Sequence, residues 1–313
     1  MSEQIDRANQ AAPATEPSVS AAATPALARV ERNLYSSPQH RMLRRFMRNK
    51  AGLAGLAVIV IILLLAIFAS VVAPYDWREQ SIADRFAGAS SAHWLGTDEL
   101  GRDILSRLLF GARYSLTIGF AAVIVSFAIG TILGIVAGFY RRLDSVIMRV
   151  VDIMMAFPGI LLAIAIVAAL GPGLVNLIIA IGINEIPGFA RLTRSMVLSL
   201  REREFVTAAR LMGARDLSIM RRHVLVNMVS PIVVFASLRI STGILAGATL
   251  SFLGLGIQPP KPEWGAMVST ARGFISIAPH TFIYPILAIF ITVIAFNLLG
   301  DSLRDTLDPT MRD

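Results

Sequence analysis

Six apolar runs, each about as long as a membrane-spanning helix, constrain the fold of this 313-residue chain more than any other feature. They cover residues 51–73, 115–140, 150–170, 173–190, 229–256 and 281–300. An α-helix rises about 1.5 Å per residue, so about 20 apolar residues cross a hydrocarbon core roughly 30 Å thick. The sequence therefore predicts an all-α, polytopic membrane bundle with six transmembrane helices.

The composition agrees with a membrane protein and argues against other classes. Hydrophobic residues make up 55% of the chain and charged residues 16%, whereas a soluble domain carries about 25% charged residues. All but Lys50 and Lys261 of the 29 basic residues are arginines, and most of them flank the apolar runs. We interpret them as a topology signal and expect no nucleic-acid partner. The chain has no cysteine and its four histidines lack metal-ligand spacing, so we expect no metal site.

The distribution of basic residues predicts how the spans are oriented. Of the 29 Lys and Arg residues, 21 lie in the segments that an alternating topology places inside: 1–50, 141–149, 191–228 and 301–313. The outer segments 74–114 and 257–280 hold seven, and Arg239 lies within the fifth run. Because positive residues are enriched in cytoplasmic loops, we expect both termini in the cytoplasm.

The chain divides into three predicted parts. Residues 1–40, rich in Ala, Pro, Ser and Glu, are predicted to form a disordered cytoplasmic tail. Residues 41–112 hold the first transmembrane helix and an outer amphipathic segment, and residues 113–313 form the transmembrane core. In the outer segment, Thr97 or Asp98 is predicted to cap a helix that lies in the interface or packs under the bundle. The predicted apolar face of this helix consists of Ile104, Leu105, Leu108 and Leu109. The predicted polar face consists of Arg102, Asp103, Ser106 and Arg107.

Small residues recur at helical spacing inside two of the runs. The second run has one at every fourth position, namely Ala122, Ser126, Gly130, Gly134 and Gly138, and the fifth run has Gly243 and Gly247. Such residues let helix backbones approach closely within a membrane. The spacing predicts close helix packing, either within this chain or at a seam with another membrane subunit.

Motifs for enzyme chemistry are missing from the sequence. Neither lysine lies in a phosphate-binding loop of the form G-x-x-x-x-G-K-[ST], so the chain does not hydrolyse ATP by that route. The zinc-protease motif H-E-x-x-H is absent, and the apolar runs contain no histidine. We therefore predict no catalytic residue and no cofactor bound by this chain.

Four polar residues within the runs are candidates for a translocation path: Asn184, Glu185, Arg239 and Asn297. An ionisable group in a span is costly unless it is paired or faces water. Glu185 and Arg239 have opposite charges at similar depths, so we hypothesise that they pair or line an aqueous path. Alternatively, Glu185 reaches the cytosolic interface from a helix end loosened by Pro187. For Asn297, a helix–helix hydrogen bond is the commoner role.

The Arg-rich segment 191–228 lies between the fourth and fifth runs and predicts a cytoplasmic pair of short amphipathic helices. Gly213 and Ala214 form the predicted turn, and Asp216 is predicted to cap the second helix. The predicted apolar faces are Phe205, Ala208, Ala209 and Met212 on the first helix, and Leu217, Met220 and Val224 on the second. A cytoplasmic helical pair of this kind could receive the stroke of a separate ATPase or could simply cover its own bundle.

Four stretches of sequence resemble one family of transporters. They are NKAGLAGLAVIVIILLLAIFASVVAPYD, HWLGTDELGRDILSRLLFGARYSL, LSFLGLGIQPPKPEWGAM and NLLGDSLRDTLDPTMR. Together they resemble the second permease subunit of binding-protein-dependent ABC importers, in the dipeptide, oligopeptide and nickel group. The resemblance implies a type I ABC importer permease fold in a bacterial inner membrane.

The resemblance also implies partners and a docking element. The implied partners are a second homologous permease, two ATP-binding subunits that use ATP and Mg, an extracytoplasmic solute-binding protein and the lipid bilayer. The family's coupling motif falls on residues 207–209, Gly213 and residues 224–226, with Thr207 in place of an acidic residue and Val226 in place of proline. The implied ATPase-coupling residues are Phe205, Thr207, Ala208, Ala209, Met212, Gly213, Ala214, Arg215 and Asp216.

The resemblance implies import of peptides or similar small solutes by alternating access. Two alternatives come from other classes of protein. One is an ion- or proton-coupled secondary carrier with Asn184 and Glu185 as its coupling site, although such carriers usually show internal repeats. The other is a membrane scaffold that conducts no solute.

Overall fold

The computed structural model describes residues 45–307, and within them every regular element is helical. The all-α prediction is confirmed for this part of the chain, whereas the predicted tail 1–40 lies outside the described residues. The α-helices are α1 Lys50–Ile67, α2 Ala69–Val72, α3 Ile104–Phe139, α4 Arg141–Ala156, α5 Gly159–Leu170, α6 Leu174–Leu200, α7 Glu204–Leu211, α8 Asp216–Ile219, α9 Leu225–Phe252, α10 Trp264–Ala271 and α11 His280–Leu307.

Five helical stretches in the described residues are long and apolar enough to cross a membrane. They are α1, α3, α6, the stretch Asp216–Phe252 that contains α9, and α11. Helices α4 and α5 pass the same test only together, and they are bent by 93° at the break that contains Pro158. The number of spans is therefore five, or six if this bent pair counts as one span. This bend divides the third apolar run into two helices.

Helix α3 packs most extensively on α6, and the predicted stripe of small residues forms that contact. A Cβ atom added to Gly130 would lie 2.5 Å from Phe189 Cβ, and one added to Gly138 would lie 2.6 Å from Val197 Cβ. The stripe therefore packs within this chain, and its interpretation as a seam with another subunit is wrong. Helix α9 packs on α3 in the same way, because a Cβ atom at Gly247 would lie 2.6 Å from Ile118 Cγ2.

The two ends of the bundle differ in what connects the helices. At the end that we call the loop end, residues 73–103 and 253–279 join the helices, and Gly111 of α3 lies against Pro262 and Trp264. The opposite end, the hairpin end, carries residues 201–224, which we call the hairpin. Because α3 has 36 residues and is about 54 Å long at 1.5 Å per residue, it connects the two ends.

The predicted cap and boundaries of the outer amphipathic helix are wrong. Helix α3 begins at Ile104 and continues without a break into the second predicted span, so no separate interfacial helix exists in this region. Asp103 is the cap, because its carboxylate accepts a hydrogen bond from Ser106 N at 2.7 Å. Asp98 is occupied elsewhere, since its carboxylate accepts hydrogen bonds from Arg102 N at 3.0 Å and Arg102 Nε at 2.6 Å.

The predicted polar face of this helix is also not at the surface. Arg102, Asp103, Ser106 and Arg107 are all buried, because the loop between α2 and α3 covers them. Charges that leave water must be paired, and here Asp98 contacts both arginines while Glu99 accepts a 2.5 Å hydrogen bond from Arg102 Nη2. The amphipathic pattern therefore reflects a buried polar network at the loop end.

Candidate functional site

The fourth predicted span extends further than its apolar run. Helix α6 continues to Leu200, ten residues beyond position 190, because one side still packs on the bundle while the other is polar. On the side that faces the bundle, Val197 is fully buried. On the polar side, Arg191 Nη2 contacts Asp152 at 2.7 Å, and Arg194 makes two hydrogen bonds to the Asp144 carboxylate. Two of the eight arginines of the segment 191–228 thus attach α4 to α6.

The predicted turn of the hairpin is present between α7 and α8. Gly213 has φ +78°, in the left-handed region that favours glycine. Its N–H donates to Arg210 O at 2.9 Å, and Ala214 N–H donates to Ala209 O at 3.0 Å. These two bonds form a Schellman motif, which ends α7 with its last carbonyls satisfied. No atom lies within 4 Å of a Cβ atom added at Gly213, so the position requires glycine for its backbone conformation alone.

The second helix of the hairpin begins differently from the prediction. Arg215 occupies the N-cap and Asp216 is the first helical residue, so Asp216 is not the cap. Its carboxylate still lies in the first turn, where a negative charge favours the helix dipole. After Ile219 the chain forms a π-helical turn, Met220–Val224, and then continues as α9.

One side of the hairpin is anchored in the bundle. Val206, Ile219 and Val224 are fully buried and belong to the same apolar cluster as Phe139 and Val197 at the ends of α3 and α6. Burial of such a side chain contributes about 1.5–3 kcal/mol each. Polar contacts add to this anchoring, since Arg201 Nη1 donates to Gly138 O at 3.1 Å. The hairpin is therefore held on α3, α6 and α9, since Ile232 of α9 belongs to the same cluster.

The other side of the hairpin exposes apolar side chains. Leu211 is 85% exposed and Met212 is 81% exposed, and Leu217 beyond the turn is also exposed. We call these three residues the hairpin tip. Exposed arginines flank them in the sequence, namely Arg203, Arg210, Arg215, Arg221 and Arg222. An exposed apolar patch surrounded by charged residues is typical of a protein–protein interaction site, because a partner removes the apolar side chains from water.

The predicted coupling residues divide between the two sides. Phe205, Thr207, Ala208, Met212, Arg215 and Asp216 are exposed, and Ala214 is half-buried. Ala209 is only 4% exposed and packs in the apolar cluster, so its assignment to the same face as Phe205 and Met212 was wrong. The prediction that Leu217 and Val224 share a face is also wrong, because Leu217 is exposed and Val224 is buried.

Leu211 is the tip residue that the sequence interpretation missed. It lies two positions after Ala209, which is about 200° around a helix. Once Val206 and Ala209 are known to face the core, helical periodicity places Leu211 on the opposite side. The signal that could have found it is the three-residue spacing of Val206 and Ala209, a stripe narrower than the one we predicted.

The structure brings two of the four translocation-path candidates together. Arg239 Nη1 of α9 lies 3.3 Å from Glu185 Oε2 of α6, so the hypothesised ion pair is present. Glu185 is 15 residues from the end of α6 at Leu200, which corresponds to about 22 Å at 1.5 Å per residue. It therefore lies inside a continuous helix, and the alternative that requires a helix end loosened by Pro187 is wrong.

Aromatic rings support the Arg239 side of this pair. The guanidinium lies over the Phe235 ring, 4.6 Å from its centroid. Phe235 in turn packs edge-to-face on Phe189, with 4.9 Å between centroids. A cation over an aromatic face is attracted by about 0.5–2 kcal/mol, depending on desolvation. The side chain of Arg239 is 34% exposed and that of Glu185 is 12% exposed, so the pair lies at the edge of the bundle and not in its core.

The two asparagines lie elsewhere. Asn184 packs against the start of α5, since a Cβ atom at Gly159 would lie 2.7 Å from its Oδ1. Asn297 Oδ1 accepts a 2.6 Å hydrogen bond from Ser241 Oγ, which joins α11 to α9. Ser241 is two positions after Arg239, about 200° around α9. Asn297 is therefore on the opposite side of α9 from Glu185 and makes the helix–helix hydrogen bond that is common for such residues.

Glu263 at the loop end is a buried carboxylate that the sequence interpretation did not identify. It caps α10 by accepting hydrogen bonds from Gly265 N at 3.0 Å and Ala266 N at 2.8 Å, and it also accepts one from Ser115 Oγ at 3.0 Å. Burial raises the pKa of the Glu263 carboxyl above its usual range, and these hydrogen bonds act in the opposite direction. Its contacts connect α10 to α3, which is a structural role.

Comparison with known families agrees with this geometry. The sequence of residues 129–313 matches a family described as "Binding-protein-dependent transport system inner membrane component". Residues 37–89 match a second family, described as "N-terminal TM domain of oligopeptide transport permease C". The first match includes the hairpin and both residues of the ion pair.

Several individual proteins are similar over most of their length. The glutathione transport system permease protein GsiD of Pectobacterium atrosepticum is 50% identical over 278 residues, which cover 88% of this chain and 92% of that protein. GsiD of Escherichia coli O6:K15:H31 is 50% identical over 293 residues, which cover 93% and 97%. A solved inward-facing structure of the MetNI methionine ABC transporter has a similar fold, with a TM-score of 0.56 at 20% identity, over 66% of this chain and 98% of that chain.

Proposed function

The chain belongs to the inner-membrane components of binding-protein-dependent transport systems, and we propose that its hairpin receives the movement of partner ATPase subunits. These components are the permeases of ABC importers, so the alternative of an ion- or proton-coupled secondary carrier is wrong. The same membership argues against a scaffold that conducts no solute. Asn184 and Glu185 then need no role in ion coupling.

The observation that carries the proposal is the two-sided hairpin. Val206, Ala209 and Ile219 fix it to α3, α6 and α9 through buried contacts, while Leu211 and Met212 are exposed at its tip. A partner that binds the tip would therefore move these helices together with the hairpin. Thr207 and Val226, which differ from the family's coupling motif, are both exposed and take no part in the anchoring.

The proposed assembly contains this chain, a second homologous permease, two ATP-binding subunits and an extracytoplasmic solute-binding protein. ATP and Mg belong to the ATP-binding subunits. The arginines of the hairpin support a cytoplasmic hairpin end and cytoplasmic termini, since positive residues favour that side of the membrane. The loop end then faces outward in a bacterial inner membrane, where the binding protein delivers its solute.

The proposed cycle uses alternating access. ATP binding brings the ATPase subunits together, and the docked hairpin transmits that movement to the helices on which it is anchored. The spans open toward the loop end and receive solute, and ATP hydrolysis restores the inward-facing state. The chain contributes one half of the path and no catalytic residue.

The proposed solute is glutathione or a similar small peptide. The relatives at about 50% identity are permease proteins of glutathione transport systems, and their similarity extends over at least 88% of this chain. Dipeptides and nickel complexes are the other solutes that the family resemblance implies. Uptake of radiolabelled glutathione into proteoliposomes that contain the complete complex tests this assignment.

The coupling role is tested by replacing Leu211 with aspartate. The residue is 85% exposed, so the variant should fold normally, yet a charge at the tip should prevent docking. The measurement is the amount of ATP-binding subunit that co-purifies with the permease pair. Ile82→Asp is the matched control, because Ile82 is 74% exposed at the opposite end of the bundle. Equal retention of the ATP-binding subunits by the two variants would contradict the proposal.

A further inference from the structure

We propose that Arg239 binds the carboxylate group of the transported solute, and that Glu185 keeps this binding weak enough for release. The inference rests on the proposed function as a permease for small peptides, and it assigns one binding group to the path. Arg239 lies near the middle of α9, 14 residues from Leu225 and 13 from Phe252, or about 20 Å from either end at 1.5 Å per residue. A cation at that depth is costly unless it is paired or faces water.

The pairing of Arg239 is incomplete. Among the residues that the structure describes, the one polar partner of its side chain is Glu185, through a single Nη1–Oε2 contact of 3.3 Å. Other arginines of the bundle use more of their donors, since Arg194 binds Asp144 through two nitrogens and Arg113 binds the carbonyls of Ala66 and Ile67. A guanidinium has five N–H donors in a planar fork that matches a carboxylate. Arg239 therefore retains donors for a second carboxylate.

The surroundings hold the guanidinium in place and leave it accessible. Phe235 lies beneath it, and Phe189 packs against Phe235. On α6, a Cβ atom added to Gly188 would lie 3.7 Å from Arg239 Nη2, so the missing side chain leaves this side of the guanidinium uncovered. With a third of its side chain exposed, Arg239 is accessible to a second carboxylate.

The depth of the site selects the source of the carboxylate. A lipid headgroup lies at the membrane surface, about 15 Å from the centre of a hydrocarbon core roughly 30 Å thick, and does not reach a residue near the middle of a span. A solute crossing the bundle passes this depth, and peptides of the proposed class carry carboxylates. Glu185 offsets the charge of Arg239 and so lowers its affinity for the solute, which transport requires because a tightly bound solute would not leave.

A single cysteine beside Arg239 provides the test. The chain has no cysteine, and the nearest atoms to a Cβ at Gly188 are 3.4 Å away, an ordinary contact, so Gly188→Cys should be tolerated. The purified complete complex is treated with a water-soluble thiol reagent, and the modification of this chain is followed by mass spectrometry. S-Methylglutathione, which carries neither a free thiol nor a disulfide, and the same peptide with both carboxyl groups amidated serve as competing solutes.

The free acid is expected to slow modification of Gly188→Cys at about 10-fold lower concentration than the amide, the difference expected for loss of one charge-assisted interaction. In the triple variant Gly188→Cys, Glu185→Gln, Arg239→Gln, both solutes should act at the same concentration. Removal of both charges together avoids an unpaired charge, so this variant should fold. In Gly188→Cys, Glu185→Gln, the free acid should act at a lower concentration than in Gly188→Cys alone.

Three results would overturn the inference. Cysteine at position 188 that is not modified would mean that another chain or lipid covers the site. Equal protection by the acid and the amide in the single variant would mean that Arg239 does not recognise carboxylates. Retained discrimination in the triple variant would place recognition elsewhere. Uptake of glutathione by the unmodified complex is measured in parallel, so that failure of the proposed function is distinguished from failure of this site.

Discussion

Replacement of Gly134 by alanine tests how α3 and α6 are held together. A Cβ atom at Gly134 would lie 2.5 Å from both Ala190 O and Thr193 Cβ, and 3.0 Å from Arg194 N. Carbon atoms in favourable contact are about 3.5–4.0 Å apart, so α6 would have to move away by roughly 1 Å. Two of the three nearest atoms belong to the backbone, and a side-chain rotation therefore cannot relieve the contact.

Gly243→Ala is the matched control for this variant. The nearest atom to a Cβ at Gly243 is Gly119 O at 3.4 Å, an ordinary contact. Both replacements gain roughly 0.5–1 kcal/mol of helix stability over glycine. The difference between the two variants therefore isolates the cost of overpacking, which is about 1–3 kcal/mol.

The assay is unfolding of the detergent-solubilised protein with increasing SDS, followed by tryptophan fluorescence. Gly134→Ala should unfold at a lower SDS fraction than the unmodified protein, and Gly243→Ala at an equal or higher one. If the two variants unfold together, or if Gly243→Ala is the less stable, the close contact between α3 and α6 does not hold the bundle as described.

Three further predictions concern the turn, the topology and the loop end. Gly213→Val should destabilise the hairpin by about 1–2 kcal/mol, because φ +78° is unfavourable for a β-branched residue. Gly213→Asn should be nearly neutral, and the rate of protease cleavage within the hairpin measures both effects. In whole cells, a membrane-impermeant maleimide should modify cysteine at Ile82 but not at Arg215, and the reverse pattern would invert the proposed orientation. Glu263→Ala should cost about 1–3 kcal/mol of stability by leaving buried N–H groups unpaired, and Glu263→Gln should cost less because its amide oxygen still accepts; thermal unfolding of both variants checks this.

Hydrophobic run length predicted most of the long helices. The periodic small residues predicted close packing, and opposite charges at similar depth predicted the contact between Glu185 and Arg239. Each of these predictions depends on features that are local in the sequence or that a membrane imposes on every helix. The choice between an intrachain contact and a subunit seam required knowledge of which helix faces Gly130.

The start of α3 shows what sequence patterns leave open. Asp98 and Asp103 are both suitable N-caps by residue type. Asp98 is used by Arg102 and Arg107 instead, in a loop whose backbone also depends on Gly101 at φ +72°. Which carboxylate caps the helix is decided by these side-chain contacts, which no periodicity encodes. The polar face is buried because the loop between α2 and α3 covers it. Helical periodicity does not show that a loop folds over this face.

The hairpin shows a second limit. Its apolar residues cover more than half of the helix circumference, so periodicity alone does not tell the anchored side from the exposed side. The core contacts of Val206 and Ala209 decide it, and they depend on the ends of α3 and α6. Helix α6 also extends beyond its apolar run because Arg191 and Arg194 find carboxylates on α4. In a hydropathy analysis those arginines indicate only where a span ends.

Cross-linking from the hairpin tip tests the central claim most directly. Because the chain has no cysteine, Met212→Cys places a single thiol at the exposed tip, and a photoactivatable group attached there reports the chain that it contacts in the complete complex. The proposed coupling predicts cross-links to an ATP-binding subunit that change in yield when ATP is added, together with loss of uptake after cross-linking. An absence of cross-links to that subunit, or full uptake after cross-linking, would contradict it.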